Sequence, residues 1–157
     1  MKILACTDGS KHSQKTLEKA AMIAGGCKAD DVVVIYVYEE KSERAFVPLF
    51  DINSVTKDTV SEEEVERLKK LQQEHQAQRE KILADAAKIF EEKGVQARTV
   101  LKQGHAANQI VKLAEDEGFD LILIGSRGMG GLQKLLLGSV SSAVIQEVKN
   151  CSVLMVK

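Results

Sequence analysis

Val32 to Tyr38 reads VVVIYVY, the most β-branched run in the chain. Apolar residues at consecutive rather than alternate positions describe a strand buried on both faces. Such strands belong to parallel sheets that helices cover on either side. The flanking segments fit that frame. Residues 2 to 7, KILACT, read as a short buried strand, followed by the turn Asp8-Gly9-Ser10. A helix runs from Lys11 to Ala24, capped by Ser10 or Ser13, carrying Leu17, Ala20, Ala21 and Ala24 inward, and stopped by Gly25-Gly26. Further strands are expected at Val95 to Leu101, Asp120 to Ile124 and Ser152 to Val156. Further helices are expected at Ala106 to Glu117, with Gly118 as its stop, and at Ser139 to Lys149.

Strands alternating with helices give right-handed βαβ crossovers, hence an α/β fold of three α/β/α layers around a five-stranded parallel sheet. With 157 residues there is room for one domain with a real core and too little for two. The stretch between the second and third strands departs from a minimal plan. Residues 39 to 60 are irregular and hold the only proline, Pro48. A long helix then spans about Ser61 to Lys93, opened by a capping box of Ser61 and Glu64 and stopped by Gly94. Glu62-Glu63-Glu64 suits a solvated first turn, and QQEHQAQRE in the middle of the helix is too polar to pack. Residues 41–78 are therefore read as an excursion of loop and helix, which leaves open a partner surface or a lid.

The chemistry concentrates after the fourth strand. Gly125-Ser126-Arg127-Gly128, nine residues, then Gly138-Ser139 spell G-x2-G-x9-G-S between a strand and a helix. Gly125 and Gly128 permit backbone angles that side chains forbid and let a phosphate approach closely. A helix opening at Ser139 points unsatisfied N–H groups and a positive dipole end at an anion. The hydroxyls of Ser139 and Ser141 can add donors, and Arg127 and Lys134 could reach a γ-phosphate or stand simply as exposed loop cations. The plainer alternative is a turn followed by an N-cap, but the full spacing favours nucleotide binding. Asp8, at the end of the first strand, could meet a ribose or base edge, hold Mg2+ beside a polyphosphate, or serve only turn chemistry. A doubly wound sheet binds ligands beyond the carboxyl ends of its strands where the winding reverses. If the ends of strands one and four share that crevice, the strands are neighbours and the order is 3-2-1-4-5.

Other chemistry is thinly represented. His12, His75 and His105 are scattered, and neither a Ser/His/Asp triad nor a zinc spacing is present in the sequence. Cys6, Cys27 and Cys151 form no CxxC pair and suit a reducing compartment as buried, apolar thiols. A net charge of −1 gives no reason to expect nonspecific nucleic-acid binding. The first apolar stretch, Ile3 to Cys6, is short for a signal peptide, and no run approaches the ~18 residues of a membrane span. The expectation is a soluble, cytoplasmic chain with no nucleic-acid or membrane partner.

Together these residues resemble the universal stress protein family, over essentially the whole chain. The likeness rests on Thr7-Asp8-Gly9-Ser10, on Val32 to Tyr38 ending in Glu39, on GSRGMGGLQKLLLGSVS, and on the closing strand Cys151 to Lys157. It implies an adenine-nucleotide-binding fold of the adenine nucleotide alpha hydrolase-like type, usually dimeric through its last strand, here residues 151–156. The complete glycine pattern marks the ATP-binding branch. By resemblance, Cys6, Thr7 and Asp8 line the adenosine side, and Val37 meets adenine through its backbone. Ile124, Gly125, Arg127 and Gly128 surround the ribose and phosphates, and Gly138, Ser139, Val140 and Ser141 hold the phosphates. The ligand is ATP, AMP or ADP, with Mg2+. The role implied is regulation in stress adaptation, with an unidentified protein partner left open. No residue is evident that would position an attacking water. A slow ATPase or a nucleotidyl-transfer enzyme remains the alternative, although the latter usually carries an SGGxDS-like loop that Thr7-Asp8-Gly9-Ser10 lacks. A receiver-like phosphorylation module would need an acidic pair where only Asp8 stands.

Overall fold

A computed structural model describes residues 1–39, 62–126 and 137–157. Its elements run β1 (Lys2–Thr7), α1 (Lys11–Cys27), β2 (Asp31–Tyr38), α2 (Glu62–Glu91), β3 (Arg98–Gln103), α3 (Ala106–Glu117), β4 (Leu121–Gly125), α4 (Ser139–Glu147) and β5 (Ser152–Val156). The strands form one parallel sheet in the order β3-β2-β1-β4-β5, as the crevice argument requires.

Period-two alternation divides the apolar residues between the two faces. Ile3, Ala5, Val32, Val34 and Leu123 meet Leu17 and Ala20 of α1 and Leu83, Ala86 and Phe90 of α2. Leu4, Cys6, Val33, Ile35, Ile122 and Ile124 meet Ile110 and Leu113 of α3 and Val144 of α4. The central strands are therefore covered on both sides. Each such side chain removed from water contributes about 1.5–3 kcal/mol before the entropy cost of ordering it.

Several boundaries differ from the sequence expectation, each for a local reason. Gly25-Gly26 does not stop α1, which continues to Cys27. Glycine weakens a helix by about 1 kcal/mol but does not forbid it. The stop is Lys28, left-handed at φ 50, whose N–H returns to the Ala24 carbonyl. Asp30 N–H then bonds Met1 O at 3.0 Å and leads the chain into β2. Strand β3 begins at Arg98, because Val95 N–H is drawn back to the Phe90 carbonyl at 3.0 Å and residues 95–97 complete the connection. As a sheet edge, β3 is largely exposed and its apolar pattern is weak. Helix α4 ends two residues early, with Val148 extended. Gln72 to Gln78 of α2 are exposed, as their polarity implied. The expectation of three buried thiols holds only for Cys6: Cys27 is exposed and Cys151 half-buried. Ser61 and Pro48 lie outside the described residues.

Candidate functional site

The winding of the chain reverses between β1 and β4, and there the sheet opens. Pairing of β1 with β4 runs from Ile3 opposite Leu121 to Ala5 opposite Leu123 and stops. On their other sides the same strands stay paired to their ends, Thr7 with Tyr36 and Gly125 with Val156. Two residues of each central strand thus part from each other at the carboxyl edge, giving the crevice that a doubly wound sheet offers a ligand.

One wall is the turn after β1. Thr7 is 8% exposed, and its hydroxyl lies 3.0 Å from the Ser13 hydroxyl while accepting from Gly9 N–H at 3.1 Å. Asp8 accepts from Ser10 N–H at 3.0 Å, and Ser10 caps α1 by accepting from Ser13 N–H at 3.2 Å. Gly9 has φ +77, a conformation that costs any L side chain. A Cβ at Gly9 would also stand 2.8 Å from the Ile82 Cδ1, so α2 seals the turn from above.

The other wall is the exit of β4 and the start of α4. Ser126, 6% exposed, donates its N–H to Val156 O and accepts from Gly138 N–H, each at 2.8 Å. The chain therefore leaves and re-enters the sheet edge at one point, which plants the α4 N-terminus beside the crevice. Helix geometry leaves the amides of Ser139, Val140 and Ser141 without an intrahelical acceptor. Gly138 is the N-cap at φ −72, ψ 155. The first turns of α1, α3 and α4 carry no acidic residue, so no carboxylate there offsets the positive ends of those helices.

The expected site residues fall into three groups. Cys6 and Ile124 are buried in one apolar cluster, with Val37 and Val140 packed against it, so their side chains sit at the same end of the same face. Burial pushes the Cys6 thiol far above its ordinary range, keeping it neutral, with nearby Cys151 a smaller cause. Thr7 and Asp8 lie on the opposing turn, while Gly125, Gly138, Ser139 and Ser141 gather at the β4 exit. Arg127 and Gly128, with Lys134, lie outside the described residues.

Two details of the expected chemistry change. Gly125 sits within β4, and neither it nor Gly138 has a positive φ, so neither uses the angles that only glycine tolerates. Ser141 is 1% exposed and its hydroxyl donates to Gly138 O at 3.0 Å, which engages it at the helix start. Ser139 keeps an exposed hydroxyl. Ser13, Ser126 and Ile82 were not expected in the site. Ser126 was visible inside the glycine motif, but the other two become apparent only once α1 and α2 are folded over the turn.

Among the described residues no group of three or more His, Cys, Asp or Glu side chains could hold a metal ion. A cavity of about 770 Å3 opens at the opposite, amino edge of the sheet, lined by Lys28, Asp30, Asp31, Gln96 and Arg98 among others. Three of its charged residues are paired: Asp30 with the amino terminus, and Arg98 with Asp31 at 3.4 Å and with Glu117. The crevice at the carboxyl edge offers main-chain donors in place of such pairs.

The family model described as Universal stress protein family matches residues 1–157. The universal stress protein YxiE of Bacillus subtilis (strain 168) is 34% identical over 156 residues, which cover 99% of this chain and 98% of that protein. The universal stress protein MJ0577 of Methanocaldococcus jannaschii is 35% identical over 159 residues, 99% of this chain and 94% of that one. The solved structure of MJ0577 superposes with a TM-score of 0.67, covering 99% and 96% of the two chains. A universal stress protein solved in complex with cAMP has a TM-score of 0.68 at 21% identity, covering 99% of this chain and 95% of its own, and that likeness shows the shared fold. The chain belongs to the universal stress protein family.

Proposed function

We propose that this member of the universal stress protein family binds ATP with Mg2+ at the carboxyl edge of its sheet, and works as a dimeric regulatory module rather than as a fast enzyme. The observation that carries the reading is the parting of β1 from β4 beside a helix start pinned there by Ser126. The amides of Ser139, Val140 and Ser141 suit an anion, and Gly138 leaves room for it. Gly125, Arg127 and Gly128 would flank the ribose and phosphates beside Ile124. Cys6, Thr7 and Asp8 would face the adenosine, and the main chain of Val37 the adenine. Asp8 is the carboxylate that could share Mg2+ with the phosphates. The cAMP held by a relative of the same fold is consistent with an adenine ligand.

Calorimetry on the full chain is expected to give a dissociation constant below a millimolar, about −4 kcal/mol or stronger. The absence of heat with millimolar ATP, ADP and AMP would sink the reading. Gly138→Val is expected to abolish binding while the far-UV spectrum stays native. Since φ −72 accommodates valine, such a loss would report blocked approach rather than backbone strain.

The chain's own residues favour binding over catalysis. The Asp8 carboxylate already accepts the Ser10 amide, and the buried Ser141 hydroxyl is committed to Gly138. Turnover well below the ~10 per second typical of enzymes is expected. Phosphate release at that rate, lost in Asp8→Asn, would establish the enzymatic alternative.

The dimer reading rests on β5, an edge strand with Leu154 36% exposed. Ser152 N–H and Val156 C=O both point to β4, so in a parallel ladder the groups of Val153 and Met155 point outward. A second copy could pair with these about a two-fold axis, edge to edge. Met155→Pro removes an outward donor and is expected to weaken association. A monomer mass by light scattering for the parent protein, at concentrations on the order of tens of micromolar, would refute the dimer.

A further inference from the structure

The long helix α2 touches the carboxyl edge through two residues one turn apart. Arg79 lies with its guanidinium carbon 3.5 Å from the centre of the Tyr38 ring, at the end of β2. Ile82 fills the place where a Cβ of Gly9 would stand, 2.8 Å away through its Cδ1. At i and i+3 the two side chains share one face of α2. Seven exposed residues, Gln72 to Gln78, precede them, and Arg79 is where that exposed stretch ends.

Both contacts fall on segments that border the crevice, the turn after β1 and the end of β2. The turn after β1 passes through Gly9, which has no side chain to pack and the largest choice of backbone conformations. Its own hydrogen bonds, Gly9 N–H to the Thr7 hydroxyl and Ser10 N–H to the Asp8 carboxylate, close it from within, and packing from another element adds to them. The apolar tip of Ile82 supplies that packing. Beyond Val37, the last strand residue is Tyr38, paired on one side with Gln103 of the exposed edge strand β3. The guanidinium over its ring ties that end to α2.

We propose that Ile82 and Arg79 are positioning residues for the adenosine side of the crevice: Ile82 holds the turn that carries Asp8, and Arg79 holds the strand end that carries Val37. The inference rests on the nucleotide reading above. A ligand that needs both segments in place binds in proportion to the fraction of molecules in which they are in place. Releasing either contact lowers that fraction without removing any group that touches the ligand.

The test compares the full-length parent with Ile82→Ala, Arg79→Gln, Arg79→Lys and Leu83→Ala, at a temperature where circular dichroism finds every variant folded. ATP affinity is read by calorimetry, and exchange of the Gly9 and Ser10 amides by NMR without ligand. Ile82→Ala and Arg79→Gln are each expected to weaken ATP on the order of tenfold. Ile82→Ala should also speed exchange at Gly9 and Ser10, and Arg79→Lys, which retains a cation for the ring, should recover part of the Arg79→Gln loss. Leu83→Ala empties a core position next to Ile82 and should lower the melting temperature while leaving affinity within about twofold. Equal loss in Leu83→Ala, or parental affinity in both Ile82→Ala and Arg79→Gln, overturns the proposal. So does unchanged Gly9 and Ser10 exchange in Ile82→Ala, whether or not ATP binds. A parent that binds no adenine nucleotide defeats the nucleotide reading itself, and the inference with it.

Discussion

Gly9→Ala separates backbone strain from side-chain crowding at the wall of the crevice. At φ +77 an L residue pays about 1–2 kcal/mol relative to glycine. The added methyl would lie 2.8 Å from the Ile82 Cδ1 and 3.2 Å from its Cγ1. The nearer atom is the end of a flexible side chain, so the clash is relieved by turning Ile82 off its rotamer, at about 0.5–1.5 kcal/mol. Restricting the unfolded chain returns about 0.4–1 kcal/mol. The net loss is about 0.5–3 kcal/mol. For a chain of this length that is a fall in melting temperature of about 1–12 °C. Urea denaturation of four proteins checks it: parent, Gly9→Ala, Ile82→Val and the double variant. Valine lacks the Cδ1 atom, so the double variant should be more stable than additivity predicts by about 0.5–1.5 kcal/mol, the crowding share alone. A Gly9→Ala protein within 0.5 kcal/mol of the parent would contradict the strain estimate. Strict additivity would show that Ile82 does not press on the turn.

Three other outcomes follow from single contacts. Ser10→Ala removes the acceptor of Ser13 N–H at the start of α1 and should cost about 1 kcal/mol in urea denaturation. Thr16 is fully buried with no hydrogen-bond partner for its hydroxyl, so Thr16→Val, of the same shape, should stabilise by about 1 kcal/mol and raise the melting temperature. In the native protein at neutral pH a thiol reagent should modify exposed Cys27 quickly and leave Cys6 intact, since burial both shields that thiol and holds it protonated; peptide mapping after a timed quench distinguishes them.

The fold was legible where burial on two faces leaves a continuous apolar run. β1, β2 and β4 are central strands, and KILACT, VVVIYVY and LILI announce them with ends accurate to a residue. β3 is an edge strand with one exposed side, its pattern dissolves into RTVLKQ, and its start was misplaced by three residues, Val95 against Arg98. Helix ends were read from glycine. That worked at Gly118, left-handed at φ 66, and failed at Gly25-Gly26, where Lys28 takes the left-handed position instead. Along β5 the sequence offers no way to tell which N–H groups face β4. The bond from Ser152 to Asp120 O fixes that parity and makes Met155, not Leu154, the outward donor.

The crevice was legible for a different reason. Its chemistry belongs mostly to the main chain, and main-chain chemistry leaves its mark in sequence as spacing and as missing side chains. The interval from Gly125 to Gly138 placed a helix start at the end of a central strand before any side chain was considered. It did not distinguish glycine needed for its backbone angles from glycine needed for the room it leaves, and at φ −72 Gly138 does not use the angles that only glycine tolerates. Side-chain roles were harder to foresee because a hydroxyl near a helix start has two competing acceptors. Ser141 lies three residues beyond Gly138, where a serine hydroxyl reaches back to the cap carbonyl as readily as out to a phosphate, and the local contact prevails. Thr7 likewise turns to Ser13 and Gly9. Among the described residues, the crevice is bordered by the amides at the start of α4, by positive helix ends and by the Asp8 turn, against which Ile82 of α2 lies. Amides and helix ends attract an anion but carry little information about its identity. On the proposed reading, discrimination for adenine would come from the segments carrying Asp8 and Val37, which Ile82 and Arg79 of α2 contact at Gly9 and Tyr38.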